Sequence, residues 1–146
     1  MIAYFDTSAL VPLLIDEPAS SICERLWDDA DDVVTVRIAY VEAAAAIAQA
    51  RRLRRLTRSQ QRQAVALLDE KWEQLQVVDI DDMLVRQAGT LADVHSLRGY
   101  DATHCAGAES INDADVVAAS GDHQLLAAWR ALGMSTLDVN DRQSDA

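Results

Sequence analysis

The chain has 146 residues, half of them hydrophobic, which is enough for one compact domain with its own core. Its net charge of −11 argues by itself against nucleic-acid binding, because an acidic surface repels phosphate. No apolar run is long enough to span a membrane, no secretory signal opens the chain, and two distant cysteines, Cys23 and Cys105, read as structural thiols of a reducing compartment, so a cytoplasmic protein is expected.

Residues 2–5 (IAYF) predict a short strand that runs straight into Asp6. Thr7 or Ser8 is expected to cap the helix that follows, with Pro18 ending or restarting it. Helix is predicted over 19–30 and strand over 33–36. The alanine-rich run 38–53 is strongly helical, since Ala is the best helix former. Then comes RRLRRLTRSQQR, residues 51–62, with six arginines and no acid. It carries +6, so the rest of the chain carries −17. The charge is segregated, which suggests a basic patch beside an acidic centre. Thr57 is expected to cap the next helix, where Val65, Leu68, Trp72 and Leu75 recur at helical spacing. Strand is predicted over 76–80, and helix from Asp81 or Asp82 to about 96 with Leu84, Ala88, Leu91 and His95 on one stripe. A helix over 100–111, a buried strand over 114–120, a helix ended by Gly133 and a last strand over 135–139 complete the order, with residues 140–146 frayed. Strands alternating with helices give an α/β fold with a short, mainly parallel sheet flanked by helices.

In open parallel sheets, ligands bind beyond the carboxyl ends of the strands. Asp6 stands just past the first strand, and Asp122 just past the strand over 114–120. Glu42 lies in the helix after the second strand on a face with Ile38, Ala45 and Gln49, where an unpaired carboxylate is costly. Asp101 opens a helix, whose N-terminus is expected to hold it ionised and aimed outward. Each acid also has a plainer reading as a helix cap or a solvated helix acid. Gathered on one rim, however, they repel one another, and a divalent cation removes the conflict. Oxygen ligands alone suit Mg²⁺ or Mn²⁺, which share substrate phosphates. The residues therefore point to a hard-metal site serving a phosphate substrate.

Four stretches taken in order, YFDTSAL, VEAAAAIA, LRGYDATHCAGA and VVAASGDHQLLAAW, resemble a PIN domain, and more narrowly the VapC toxins of type II toxin–antitoxin modules. The resemblance covers essentially the whole chain. It implies a PIN-like three-layer sandwich over residues 1–140, with 141–146 as a tail. It implies an acidic centre of Asp6, Glu42, Asp101 and Asp122, with Asp6 and Asp101 as the most direct metal ligands and Asp122 and Glu42 helping. It matches Thr7, Ser8 and Ser120 to hydroxyls that orient carboxylates or water. Arg98 and His104 fit the pattern around Asp101; His104 is read either as a phosphate contact or as a packing histidine behind the site. The implied activity is metal-dependent hydrolysis of RNA to a 5′-phosphate and a 3′-hydroxyl. The implied partners are a VapB-like antitoxin and a second protomer. Arg51, Arg52, Arg54, Arg55 and Arg98 are candidates for contact with RNA or antitoxin.

Rival readings lack their signatures. A dehalogenase-type phosphatase needs an acid two residues after Asp6, where Ser8 stands. A receiver domain needs a late lysine, and Lys71 is the only lysine. A nucleotide-binding loop needs early glycines, and the first is Gly89. His95, His104 and His123 lack zinc-ligand spacing. Two alternatives stay open: a non-catalytic acidic interaction module and a DNA-directed nuclease.

Overall fold

A computed structural model describes residues 1–111 and 113–141. The expected fraying of the tail from 142 onward lies outside them. Five strands are seen among the described residues: β1 (Ile2–Phe5), β2 (Asp32–Val36), β3 (Gln76–Val78), β4 (Val116–Ser120) and β5 (Ser135–Asp138). They form one wholly parallel sheet in the order β3-β2-β1-β4-β5.

Side chains alternate across a strand, and this divides the core. Ala3 and Phe5 of β1 join Val33 and Ala119 on one face, under α2 (Ser20–Asp29), α3 (Ala39–Arg52) and α4 (Arg58–Gln74). Tyr4 joins Val34, Val36 and Ala118 on the other face, under α5 (Asp82–His95), α6 (Gly99–Glu109) and α7 (His123–Ala131). The result is the helix–sheet–helix sandwich of a PIN-like α/β fold. Among the described residues no helix is long and apolar enough to cross a membrane. Burial pushes the thiols of Cys23 and Cys105 up to about 12, which makes both poor nucleophiles, as structural cysteines are.

The expected elements all form, with shifted ends. The largest difference follows β1. In place of one helix to Pro18 there is a single turn, α1 (Thr7–Leu10), and then a 3₁₀ turn, Val11–Leu13, that takes Pro12 into its start. Proline has no N–H to give and tolerates only the first turn of a helix, so Pro12 forces the change. The cap is Asp6 itself, accepting from the Ala9 N–H, rather than Thr7 or Ser8. Those two hydroxyls are thereby left for other work. Thr57 does cap α4, in a reciprocal capping box with Gln60. Residues 79 and 80 do not continue β3. Gly133 ends the α7 segment in a left-handed conformation (φ 83°).

The strand order reverses at β1. The chain builds β2 and β3 outward on one side of it, then crosses to lay β4 on the other. The segments after β1 and β4 consequently leave toward opposite faces and open a crevice at the carboxyl end of the sheet. β1 and β4 pair in register from Ile2 with Val116 to Phe5 with Ala119, so Asp6 and Ser120 meet at this edge.

Gly107 lets α6 lie close to the sheet: a Cβ there would stand 2.9 Å from the Tyr4 hydroxyl and 3.2 Å from Cβ of Val36. Gly89, exposed on α5, has open space where its Cβ would go. The two helical glycines should therefore respond with opposite signs. In urea denaturation, Gly107→Ala is expected to destabilise by about 1–3 kcal/mol through overpacking. Gly89→Ala should stabilise by about 0.5–1 kcal/mol.

Candidate active site

The crevice is lined by Asp6, Glu42, Asp101 and Asp122, together with Thr7, Ser8, Arg98 and His104. It is a cavity of about 440 Å³, open to solvent. A larger apolar hollow beside β3 and α5 contains none of these residues. The four acids expected from sequence thus share one cleft.

Asp6 is only 5% exposed. Its Oδ1 accepts from Ser8 Oγ at 2.7 Å and from the Ala9 N–H at 3.0 Å; its Oδ2 accepts from Ser120 Oγ at 2.5 Å. Burial pushes its carboxyl above the ordinary range, with the nearby His104 and the two serines pulling the other way. Ser120 also accepts from the Asp122 N–H at 2.9 Å, and Ser8 from the Gly121 N–H at 2.7 Å. The two serines therefore tie the ends of β1 and β4 together around one carboxylate. The hydroxyls expected to orient acids do so.

Glu42 is half-buried at the start of α3, with Ala46 beside it in the cleft. Ala45 and Gln49, expected on its face, are exposed instead. Glu42 Oε1 accepts from Thr7 Oγ1 at 2.9 Å and lies 2.8 Å from His104 Nε2. Burial pushes this carboxyl up, but the hydrogen bonds from His104 and Thr7 outweigh it and hold Glu42 below its ordinary value. His104, 2% exposed, has its Nδ1 2.9 Å from the Tyr4 hydroxyl. Nδ1 therefore has the Tyr4 hydroxyl as partner, and Nε2 has Glu42 and, at 3.2 Å, Thr7 Oγ1. Both ring nitrogens are engaged by protein partners, an arrangement that suits the packing alternative. Tyr4 is the member that sequence reasoning missed. It sits in the middle of an apolar strand, and only the sheet's alternation turns its hydroxyl toward α6; an edge-on contact with Trp129 (centroids 5.7 Å apart) steadies its ring.

Asp101 corrects an expectation. It lies in the first turn of α6, yet it is 8% exposed rather than aimed outward. Burial raises its carboxyl, the Arg98 hydrogen bond opposes this, and the charge of Asp122 adds to the rise. Desolvation outweighs the helix terminus. Asp122 caps α7 through Oδ1, which accepts from the Leu125 N–H at 3.0 Å. Its capping role and its place in the cleft coexist.

Among the described residues, no three acid, histidine or cysteine side chains already converge tightly enough to cage an ion. The donor set is nonetheless one that a hard cation can use. All the candidates are carboxylate oxygens, two of them are raised by burial, and Mg²⁺ keeps several waters and needs only one or two carboxylates. Glu17, Tyr100 and Asn140 also line the cleft and had no signal in the sequence, since each arrives from a loop or helix start that only the fold brings near. Arg51, Arg52 and Arg54 do not line it; Arg55 reaches its rim, 3.8 Å from Glu17.

The PIN domain family model matches residues 3–129. Ribonuclease VapC49 of Mycobacterium tuberculosis (strain ATCC 25618 / H37Rv) is 38% identical over 132 residues, spanning 90% of this chain and 92% of that protein. The fold is similar to that of M. tuberculosis VapC20, described as a sarcin-ricin loop cleaving toxin, with TM-score 0.66 at 21% identity over 86% of this chain and 94% of that one. It is also similar to VapBC-1 from nontypeable Haemophilus influenzae, with TM-score 0.65 at 17% identity over 97% of this chain and all of that one. The chain belongs to the PIN domain family and, within it, to the VapC proteins.

The raised carboxyl of Asp101 has a consequence for stability. A group whose folded pKa lies above its unfolded value binds more protons in the folded state, so stability falls as pH rises from 3.8 through the folded value, and the deficit is complete above it. Asp101→Asn mimics the protonated carboxyl. Without metal at pH 7, its Tm is expected to exceed that of the wild type, and the gain should shrink as pH is lowered toward 4, read by thermal melts in EDTA across pH 4–8.

Proposed function

We propose that this protein is a metal-dependent endoribonuclease, the toxin of a type II toxin–antitoxin pair, acting in the cytoplasm. The observation that carries the reading is the cleft at the carboxyl edge of the sheet, where Asp6, Glu42, Asp101 and Asp122 stand together. The relatives' names support RNA as the substrate class: VapC49 is named a ribonuclease, and VapC20 a sarcin-ricin loop cleaving toxin.

In this reading Asp6, Asp101 and Asp122 hold Mg²⁺ or Mn²⁺, partly through water. When bound, the ion would lower the pKa of a water and stabilise charge on the phosphodiester. The remaining work falls to the chain. Ser8 and Ser120 fix both oxygens of Asp6, so this carboxylate needs little reorganisation as charge develops. Glu42, held ionised by His104 and Thr7, orients the attacking water. Arg98 supplies the positive charge in the cleft that suits a phosphate. The products are a 5′-phosphate and a 3′-hydroxyl.

Complexes such as VapBC-1 support a VapB-like antitoxin as partner, and a homodimer accompanies that reading. Arg51, Arg52, Arg54 and Arg55, with the exposed Val41 and Leu53 on the same helix and its end, make a basic and partly apolar surface for antitoxin or RNA. The +6 of this stretch offsets locally the repulsion that the acidic remainder would exert on RNA.

The test is cleavage of total cellular RNA by antitoxin-free protein with Mg²⁺ or Mn²⁺ against EDTA. Discrete fragments that require metal are expected, and Asp101→Asn should cut them by on the order of 100-fold or more, as when one charge-stabilising group is removed. Folded wild type that cuts no RNA with either metal would favour a non-catalytic module, and cleavage of DNA alone would favour a DNA-directed nuclease.

A further inference from the structure

Among the described residues, Arg98 is the only cationic side chain lining the cleft apart from the engaged ring of His104. It is 63% exposed, yet its guanidinium is fixed from three sides. Nε donates to Asp101 Oδ2 at 3.1 Å, Nη2 lies 3.7 Å from Asp122 Oδ2, and Cζ rests 4.9 Å from the centroid of the Tyr100 ring. It thus stands between two of the acids assigned to metal. The oxygens it uses matter. Asp122 Oδ1 is committed to the Leu125 N–H as the cap of α7, so Oδ2 is the oxygen this residue has left for the cleft. An ion that uses Asp122 must take the oxygen that Arg98 faces. A guanidinium and a divalent cation cannot share that place without strong repulsion in a half-buried site.

We propose that Arg98 is an internal competitor of the metal: it bridges Asp101 and Asp122 in the ion-free protein, yields Asp122 when the ion binds, and then turns to the substrate phosphate. The inference rests on the metal-site reading above and adds to it a positioning role with two states. Tyr100 gives the released guanidinium a face to lie on within the cleft. A phosphodiester offers the planar fork a partner that the metal does not contest. The same side chain then opposes metal binding and favours substrate binding once metal is present. The two effects have opposite signs, and a merely structural arginine would produce neither.

The experiment measures Mn²⁺ affinity directly, by electron paramagnetic resonance and calorimetry without RNA, on wild type, Arg98→Gln and Arg98→Lys. Native fold is checked by circular dichroism and Tm. Arg98→Gln should bind Mn²⁺ about fivefold tighter or more, the lower end of usual coupling between two ligands of one site. Arg98→Lys, which keeps the charge and loses the fork, should fall between. A 2′-O-methyl oligoribonucleotide, used as a non-cleavable probe with saturating Mn²⁺, should bind Arg98→Gln more weakly than wild type. Equal or weaker Mn²⁺ affinity in folded Arg98→Gln would overturn the competition and leave the metal site standing. Tighter Mn²⁺ with unchanged oligonucleotide binding would overturn the hand-over to phosphate. No Mn²⁺ binding by any of the three proteins would overturn the metal reading and this inference together.

Discussion

Asp6 is a carboxylate held almost out of water at the end of a central parallel strand, and much of the fold is arranged to keep it there. It needs donors, because a buried charge without them is prohibitively costly. Ser8 and the Ala9 N–H come from the turn that starts at once after β1; Ser120 comes from the last residue of β4. This works only if β1 and β4 pair in the observed register, since a slip of one residue turns every side chain to the other face. Gly121 belongs to the same constraint. Its N–H donates to Ser8 Oγ, which ties the turn after β4 to the same carboxylate.

Around Asp6 the acids are treated unequally. Asp6 and Asp101 are pushed toward the protonated state by burial, while Glu42 is pulled toward the ionised state by a buried chain from Tyr4 through His104. Environments that separate the proton affinities of neighbouring carboxyls separate their roles. Here the division suits two groups placed to meet a cation and one that stays ionised to orient a water. It also means that the ion-free protein carries a stability deficit at its own site. Activity and stability should therefore trade against each other at Asp101, as strained functional sites generally do.

Much of this is legible in the sequence where a local rule decides the outcome. Strand-then-acid at Asp6 and Asp122 follows from chain order and from where parallel sheets bind ligands. The cap at Thr57 and the stop at Gly133 follow from short-range chemistry. The failures have physical causes. Pro12 cuts the first helix short, a local signal that acts before Pro18 can. Asp101 is expected outside because a helix terminus favours charge, but α6 buries its first turn against the cleft, and no pattern along the chain reports that. Tyr4 and Tyr100 stand next to predicted acids, but no pattern along the chain reports where their rings point; Glu17 and Asn140 arrive from separate segments, and only the assembled fold brings them near. The bridge from Arg98 to Asp101 and Asp122 is of the same kind, since its two ends come from different helices.

On the reading proposed above, Asp6 and Asp101 meet at a hard cation. The most direct measurement is anomalous scattering from crystals of the antitoxin-free protein grown with Mn²⁺. The expected result is a peak in the cleft within direct coordination distance, about 2.0–2.2 Å, of oxygens of Asp6 and Asp101, with waters completing the sphere. A fully formed cleft with no ion at Asp6 and Asp101 at saturating Mn²⁺, or an ion held only elsewhere on the surface, would contradict it.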